Sequence, residues 1–237
     1  MTSIANSLQQ VRARIAAACE QMGRPADSVC LLAVSKTQPT ASVLDAIAAG
    51  QQAFGENYVQ EGVDKIRAVR AWEAEAGGAA PSQWHCIGPL QSNKTRLLAA
   101  HFDWVHSVDR LKIAERLSEQ RPPELGPLQV CLQVNIDGGP NKSGVVPADV
   151  LELARAVAAL PRLRLRGLMT IPEPVSGFEA QRAVHVQARQ LFEAVRDAGI
   201  PGAAWDTLSM GMTGDLEAAV AAGSTMVRIG TAVFGAR

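Results

Sequence analysis

Short apolar segments recur along the chain and alternate with segments of helical periodicity, which restricts the fold more than any other feature. Strands that alternate with helices pair in parallel through crossover connections. Eight such units match a closed (β/α)8 TIM barrel in number and length, so the predicted fold class is α/β. The eight strand candidates are residues 30–35, 52–54, 83–87, 104–108, 128–136, 163–169, 207–210 and 225–229.

The predicted helices begin before the first strand. In residues 3–22 the apolar side chains recur three and four positions apart, and Gly23 follows as a stop. Residues 178–198 show the same periodicity. The alternative fold is an open doubly wound sheet. It is less favoured because no Gly-x-Gly-x-x-Gly motif follows an early strand. Because residues 74–80 are interpreted as a surface loop, residues 1–237 are predicted to form one barrel domain with an extra N-terminal helix.

Charge and composition limit the classes of partner. The 23 basic residues equal the 23 acidic ones, which gives no reason to expect nucleic acid or an anionic membrane as the main partner. The N-terminus lacks the features of a signal peptide and no apolar run reaches the length of a membrane span, so the expected location is cytoplasmic. Four widely spaced cysteines are predicted to be buried thiols: Cys19, Cys30, Cys86 and Cys131.

A lysine follows the first predicted strand. In barrels of this kind functional groups gather at the carboxyl ends of the strands. Strand alternation places Leu32, Val34 and Lys36 on the same side, so the Lys36 amine is expected at the mouth of the barrel if that side faces inward. Desolvation and a nearby cation such as Arg228 would lower its pKa, and a neutral amine attacks an aldehyde to form a Schiff base. The alternative is a lysine whose amine extends past the strand into water.

Two glycine-containing turns follow the seventh and eighth predicted strands, where barrels of this kind often bind phosphate. They are Ser209-Met210-Gly211 and Gly230-Thr231. Their glycines permit close backbone approach, their hydroxyls can donate, and Thr213 is expected to cap a helix over 215–222. A lysine amine that faces a phosphate cradle implies a phosphorylated carbonyl compound. Pyridoxal phosphate and a sugar phosphate both qualify.

Several motifs, in order along nearly the whole chain, resemble the YggS/PROSC family of pyridoxal phosphate homeostasis proteins. The matching segments are LAVSKT (32–37), FGENYVQE (54–61), WHCIGPLQSNK (84–94), LMT (168–170), SMGM (209–212) and RIGTAVFG (228–235). The resemblance implies a fold similar to the barrel domain of alanine racemase, with pyridoxal 5'-phosphate as the cofactor.

The resemblance also assigns roles to individual residues. It implies that Lys36 forms the Schiff base, that Ser209, Gly230 and Thr231 hold the phosphate, that Arg228 faces the pyridine nitrogen, and that Asn57 lies beside the ring. Because a cation cannot support a protonated pyridine, the ring is expected to be a poor electron sink, which disfavours carbanion chemistry.

The chain departs from the family pattern in two places. Thr213 stands where a serine is expected, and the loop over 137–144 is richer in glycine and proline than expected. Its Lys142-Ser143-Gly144 core is kept. The resemblance makes Lys142 a candidate secondary contact for the cofactor, and a solvated loop lysine is the alternative.

Catalysis by two bases, as in the racemase that the chain resembles, is not expected. That racemase takes its second base, a tyrosine, from a second domain, whereas here the sole tyrosine is Tyr58 and the chain ends just past the eighth strand. His85 or Cys86 could in principle substitute, but they are interpreted as a polar residue at the barrel mouth and a packed thiol. No metal site is predicted, since His101, His106 and His185 lack ligand spacing and are expected in solvent or at the edge of the core.

Three functions remain open at this point. The first, and the one predicted, is a protein that stores or delivers pyridoxal phosphate without catalytic turnover, with no catalytic residues, as a monomer, and with recipient apo-enzymes as possible partners. The second is a one-domain pyridoxal-phosphate-dependent racemase. The third is a Schiff-base aldolase for a sugar phosphate.

Overall fold

The computed structural model describes residues 3–76, 81–139 and 142–235, and within them eight parallel strands close into a barrel. Each strand pairs with the next along the chain, and the last pairs with the first. The TIM-barrel prediction is therefore confirmed and the open sheet is wrong. The strands are β1 (Cys30–Val34), β2 (Ala53–Glu56), β3 (Gln83–Cys86), β4 (Trp104–Val108), β5 (Leu128–Val134), β6 (Leu163–Thr170), β7 (Thr207–Ser209) and β8 (Met226–Ile229).

Helices cover the outside of the barrel. They are α1 (Ile4–Gln21), α2 (Thr40–Ala48), α3 (Val59–Ala76), α4 (Thr95–His101), α5 (Leu111–Gln120), α6 (Val150–Ala158), α7 (Phe178–Asp197), α8 (Leu216–Ala221) and α9 (Thr231–Phe234). The extra N-terminal helix is confirmed as α1, which starts where the Ser3 hydroxyl accepts a hydrogen bond from the Asn6 amide. It packs against α8 and α9. In the ranges given above, no helix is both long enough and apolar enough to cross a membrane.

The alternation of side chains along each strand creates two separate apolar layers. Leu31 and Ala33 join the large core between strands and helices. Leu32 and Val34 instead cluster with Ala53, Ile87 and Met226, which all come from β1, β2, β8 or the residue after β3. This second cluster contains no helical residue, so it fills the inside of the barrel.

Three local predictions are wrong. β2 runs to Glu56 instead of ending at Phe54. A buried Glu56 is tolerated in the strand because its carboxylate accepts a hydrogen bond from the ammonium of Lys65. The loop predicted over 74–80 is helical as far as Ala76, since Glu and Ala favour continuation of α3, and residues 77–80 lie outside the described ranges. Cys30 is exposed at the start of β1, whereas the other three thiols are buried.

Candidate functional site

Lys36 stands at the carboxyl end of β1, between the ends of β2 and β8. Leu32 and Val34 face the barrel interior, as the alternation predicted, and Lys36 follows two residues later in the turn that leads to α2. Its side chain is half-buried. The register pairs Leu32 with Arg228 across the β1–β8 ladder, so both residues lie on the interior face of adjacent strands. The structure thus brings the predicted lysine and the predicted arginine to the same part of the barrel.

Arg228 is held inside the barrel by backbone and hydroxyl oxygens. Its Nη1 donates to the carbonyl of Ser209 at 2.7 Å and to the Ser209 hydroxyl at 2.9 Å, and its Nη2 donates to the carbonyl of Thr170 at 2.8 Å. Burial lowers its pKa to about 10, so the side chain stays a cation at neutral pH. Within the described residues these bonds use three of the five guanidinium N–H groups, which leaves two to meet a ligand.

Ser209 connects Arg228 to a buried pair of histidines that the sequence analysis did not expect. The Ser209 hydroxyl lies 3.0 Å from Nδ1 of His106, and Nε2 of His106 lies 2.9 Å from Nδ1 of His85. Burial lowers the pKa of His85 to about 3, and burial with the neighbouring His85 lowers that of His106 well below its usual value. Both rings are therefore neutral, and the prediction that His106 lies in solvent or at the core edge is wrong because strand alternation turns it inward.

The turn after β7 is shaped by one glycine and one aspartate. Gly211 has a φ of +95° and a Cβ there would lie 2.4 Å from Cβ of Ala219, so only glycine fits. Asp215, not Thr213, is the N-cap residue of α8, and its carboxylate accepts from the Met212 amide at 2.6 Å. The capping role predicted for Thr213 is wrong because Thr213 lies before the N-cap residue Asp215. Its backbone carbonyl accepts a hydrogen bond from Arg14. Met210 is fully buried behind this turn.

The turn after β8 lies directly beside the end of β1. Gly230 is the N-cap of α9, and a Cβ on it would lie 3.3 Å from the carbonyl oxygen of Val34. Thr231 follows at an exposed position. A side chain at position 230 would therefore crowd the end of β1, and the exposed Thr231 follows next to the turn that carries Lys36.

Three of the buried polar atoms that lack a hydrogen-bond partner in the described part of the chain lie at the same end of the barrel. They are Oδ1 of Asn57 after β2, Oδ1 of Asn135 after β5, and Oγ1 of Thr170 at the end of β6. Buried polar groups are normally hydrogen-bonded, so these three atoms are available to water or to a polar ligand. This end of the barrel therefore carries an amine, a guanidinium, amides and hydroxyl groups. Such a set suits a ligand with a carbonyl, a ring nitrogen and a phosphate.

Lys142 forms a bridge between two loops at this end of the barrel. Its ammonium donates to the Asp137 carboxylate at 2.7 Å and to the Ile171 carbonyl at 3.1 Å, and it lies 3.2 Å from Glu173. Its side chain is only 20% exposed. Lys142 is thus a surface loop lysine with two carboxylate partners, and a secondary contact with cofactor stays a prediction.

The remaining histidines divide between the surface and the core. His101 is partly exposed at the edge of the core, as predicted. His185 is 1% exposed, and its Nε2 lies 2.8 Å from the Asp215 carboxylate, so the expected location in solvent or at the core edge is wrong. An ion cluster of Lys65, Glu56 and Glu61 beneath the Lys36 turn was not predicted. The i,i+4 spacing of Glu61 and Lys65, which both lie on α3, is a signal in the sequence that could have indicated part of it.

Comparisons with known proteins agree with this architecture. Residues 7–237 match the family described as "Alanine racemase, N-terminal domain". Alanine racemase from Corynebacterium glutamicum has a similar fold, with a TM-score of 0.67, 16% identity, and coverage of 97% of this chain and 62% of that one. This likeness concerns the fold alone.

Two other relatives have higher sequence identity to this chain, and the aligned region covers almost all of both proteins. The structure of PipY from Synechococcus elongatus with pyridoxal phosphate bound has a TM-score of 0.82 and 36% identity. The match covers 98% of this chain and 100% of that one. The "Pyridoxal phosphate homeostasis protein" of Escherichia coli strain K12 is 56% identical over 237 residues, which span 100% of this chain and 98% of the relative. The chain therefore belongs to the family of pyridoxal phosphate homeostasis proteins, on a barrel of the alanine racemase N-terminal type.

Proposed function

We propose that this protein binds pyridoxal 5'-phosphate as a Schiff base on Lys36 and acts in pyridoxal phosphate homeostasis by storing and delivering the cofactor in the cytoplasm. The observation that carries the proposal is that Lys36 follows the end of β1, while neighbouring β8 carries Arg228 on its interior face and ends in the turn at Gly230 and Thr231. The full-length relationship to a pyridoxal phosphate homeostasis protein supports it.

The residues present fit this cofactor. When bound, pyridoxal phosphate supplies an aldehyde that a neutral lysine amine can capture. Lys36 would hold the aldehyde carbon, Gly230 and Thr231 with the turn from Ser209 through Met210 to Gly211 would hold the phosphate, and Asn57 would lie beside the ring. The Ser209 hydroxyl accepts from Arg228 and is also paired with Nδ1 of His106, so these two side chains fix the position of Ser209 in the turn.

Arg228 supports binding without turnover. A guanidinium that stays charged would leave the pyridine nitrogen unprotonated and so weaken the ring as an electron sink. The carbonyl oxygens of Ser209 and Thr170 fix this cation in place. The proposed role of Arg228 is thus to hold the ring while limiting its reactivity.

The side chains considered as a second base do not suit that task. The pKa of His85 is lowered to about 3 by burial, and burial raises the pKa of the Cys86 thiol to about 12. Cys86 also packs in the core between the barrel and its helices. Tyr58 is 56% exposed, outside the barrel interior. These positions favour the binding protein over a racemase.

The first experiment tests the lysine. Purified protein is incubated with pyridoxal phosphate, reduced with borohydride and digested, and the modified lysine is located by peptide mass spectrometry. We expect a visible absorbance band before reduction and modification of Lys36, both lost in Lys36→Ala. The exposed Lys112→Ala variant is the matched control and should behave as wild type. Protein that cannot be loaded would refute the proposal.

The second experiment separates delivery from catalysis. Loaded protein is mixed with an apo-enzyme, and its activation is compared with activation by cofactor released into buffer. Activation no faster than release would reject delivery and leave storage. Sustained exchange of the α-hydrogen of an amino acid would instead favour the racemase, and cleavage of a sugar phosphate would favour the aldolase.

The oligomeric state is tested separately. Sedimentation of the purified protein should give the mass of a monomer.

A further inference from the structure

The turn that carries Lys36 adopts an uncommon backbone conformation. Thr37 has a φ of +63°, in the left-handed region that residues with a Cβ seldom occupy and that branching at Cβ disfavours further. The Thr37 hydroxyl donates to the carbonyl of Lys36 at 2.6 Å. Such a conformation persists only when surrounding contacts determine it, and it is typical of functional sites.

A buried ammonium lies beneath this turn. Lys65 on α3 is 5% exposed, and its Nζ donates to the Ser35 carbonyl at 2.6 Å, to Glu61 Oε1 at 2.7 Å and to Glu56 Oε1 at 2.9 Å. These three bonds use all three hydrogens of the ammonium. Charge-assisted hydrogen bonds of this kind are stronger than neutral ones and fix geometry as well as charge.

Each carboxylate of the cluster connects Lys65 to one neighbour of Lys36. Glu56 Oε1 accepts from the Ser35 hydroxyl at 2.6 Å, and Glu61 Oε1 accepts from the Thr37 amide. The backbone is therefore tied on both sides of Lys36, to residue 35 through the Ser35 carbonyl and hydroxyl and to residue 37 through its amide. We refer to Lys65, Glu56 and Glu61 as the Lys65 cluster.

We propose that the Lys65 cluster is a positioning device for Lys36: it holds the backbone on both sides of that residue and so fixes where the amine stands at the mouth of the barrel. The inference rests on the proposed function, in which Lys36 binds the cofactor. A fixed backbone raises the fraction of time that the amine spends in reach of an aldehyde, so its loss slows capture. The side chains of the cluster themselves do not touch the cofactor in this scheme.

Four variants test the proposal. Lys65→Met removes the ammonium at similar side-chain length. Glu61→Ala removes the acceptor for the Thr37 amide while Lys65 keeps Glu56, and because the Glu61 side chain is 30% exposed, this variant is expected to fold. Glu61→Gln keeps an oxygen acceptor at the same position. Arg121→Met is the matched control, because Arg121 is another buried cation bound to carbonyls, those of Ala99, Phe102 and Gly126.

The control lies at the opposite end of the barrel. The carbonyls that Arg121 binds lie in the last turn of α4 or in the connections that follow α4 and α5, and these parts of the chain lead to the amino ends of β4 and β5. Loss of its bonds should lower the melting temperature without moving Lys36. The comparison therefore separates general destabilisation from the local effect.

The readouts are the rate at which the visible band appears after mixing with pyridoxal phosphate, the fraction of Lys36 modified after borohydride reduction, and the melting temperature of cofactor-free protein. We expect Lys65→Met and Glu61→Ala to slow loading about tenfold or more. Glu61→Gln should recover most of the wild-type rate, and Arg121→Met should load as wild type at temperatures where it is folded.

The outcomes distinguish failure of the proposed function from failure of the positioning role. Wild-type protein that does not load overturns the proposed function. Wild-type loading together with an unchanged rate in Glu61→Ala overturns the positioning role, even if Lys65→Met fails to fold. An equal slowing in Arg121→Met also overturns it, because the effect would then follow stability alone.

Discussion

Gly211 offers a sharp test of how the turn after β7 is built. Alanine at this position must adopt a φ of +95°, and its Cβ would lie 2.4 Å from Cβ of Ala219 on α8. The left-handed conformation costs about 1–2 kcal/mol, and overpacking against a fully buried neighbour costs about 1–3 kcal/mol more. We therefore expect Gly211→Ala to lower the free energy of unfolding by about 2–5 kcal/mol.

A second substitution separates the two contributions. Ala219→Gly alone should cost about 1–2 kcal/mol, from lower helix propensity and one lost buried methyl group. In the double variant the steric clash is absent and only the backbone cost of Gly211→Ala remains. The two changes should therefore be less destabilising together than their sum, by about 1–3 kcal/mol.

The assay is urea unfolding of cofactor-free protein followed by tryptophan fluorescence, with wild type, both single variants and the double variant measured together. Additivity within about 0.5 kcal/mol would show that the clash relaxes without cost and that the close approach does not explain the glycine. Cofactor loading measured on the same four proteins gives a second result. If this turn holds the phosphate, the single Gly211→Ala variant should load more weakly than the double variant.

Three further predictions concern buried polar groups. The folded-state pKa of His85 is lowered to about 3 and the unfolded value is about 6.5, so the free energy of unfolding should fall as pH drops through this window, by up to about 1.4 kcal/mol per pH unit for one histidine. His85→Asn, which can keep the bond to His106, should show a shallower slope in urea unfolding from pH 6.5 to 5, and an unchanged slope would contradict the assignment. Arg228→Met removes the guanidinium donor of two buried carbonyls and should cost about 2–6 kcal/mol in the same assay, whereas a loss below about 1 kcal/mol would show that water replaces the guanidinium. Asp215→Ala removes the acceptor for the Met212 amide and for His185, and should lower stability by about 1–2 kcal/mol and weaken loading, unless the turn before α8 forms without it.

The parts of the site that lie on one strand could be predicted from the sequence. Strand alternation placed Leu32 and Val34 inside the barrel and Lys36 at its mouth, because side chains along a strand repeat with a period of two. The order of strands around a closed barrel then made β1 and β8 neighbours. Both steps use only local periodicity and topology. The roles of these residues toward a cofactor stay predictions.

Contacts across the barrel interior could not be predicted. His106 on β4 meets Ser209 on β7, which is not a neighbouring strand, so the contact depends on how the interior side chains interlock. The Lys65 cluster depends in the same way on how far α3 is rotated against β1 and β2. Asp215 and Thr213 are both good capping residues, and only the helix start decided between them.

The surroundings of Arg228 restrict which side chains can occupy position 228 in this protein. A carboxylate at position 228, the kind of group that would favour a protonated pyridine, would face the carbonyl oxygens of Ser209 and Thr170 and repel both. Those oxygens belong to the backbone and cannot be mutated away. Under the proposed role of Arg228, replacing it by a carboxylate would therefore also require the backbone at the ends of β6 and β7 to move away from position 228.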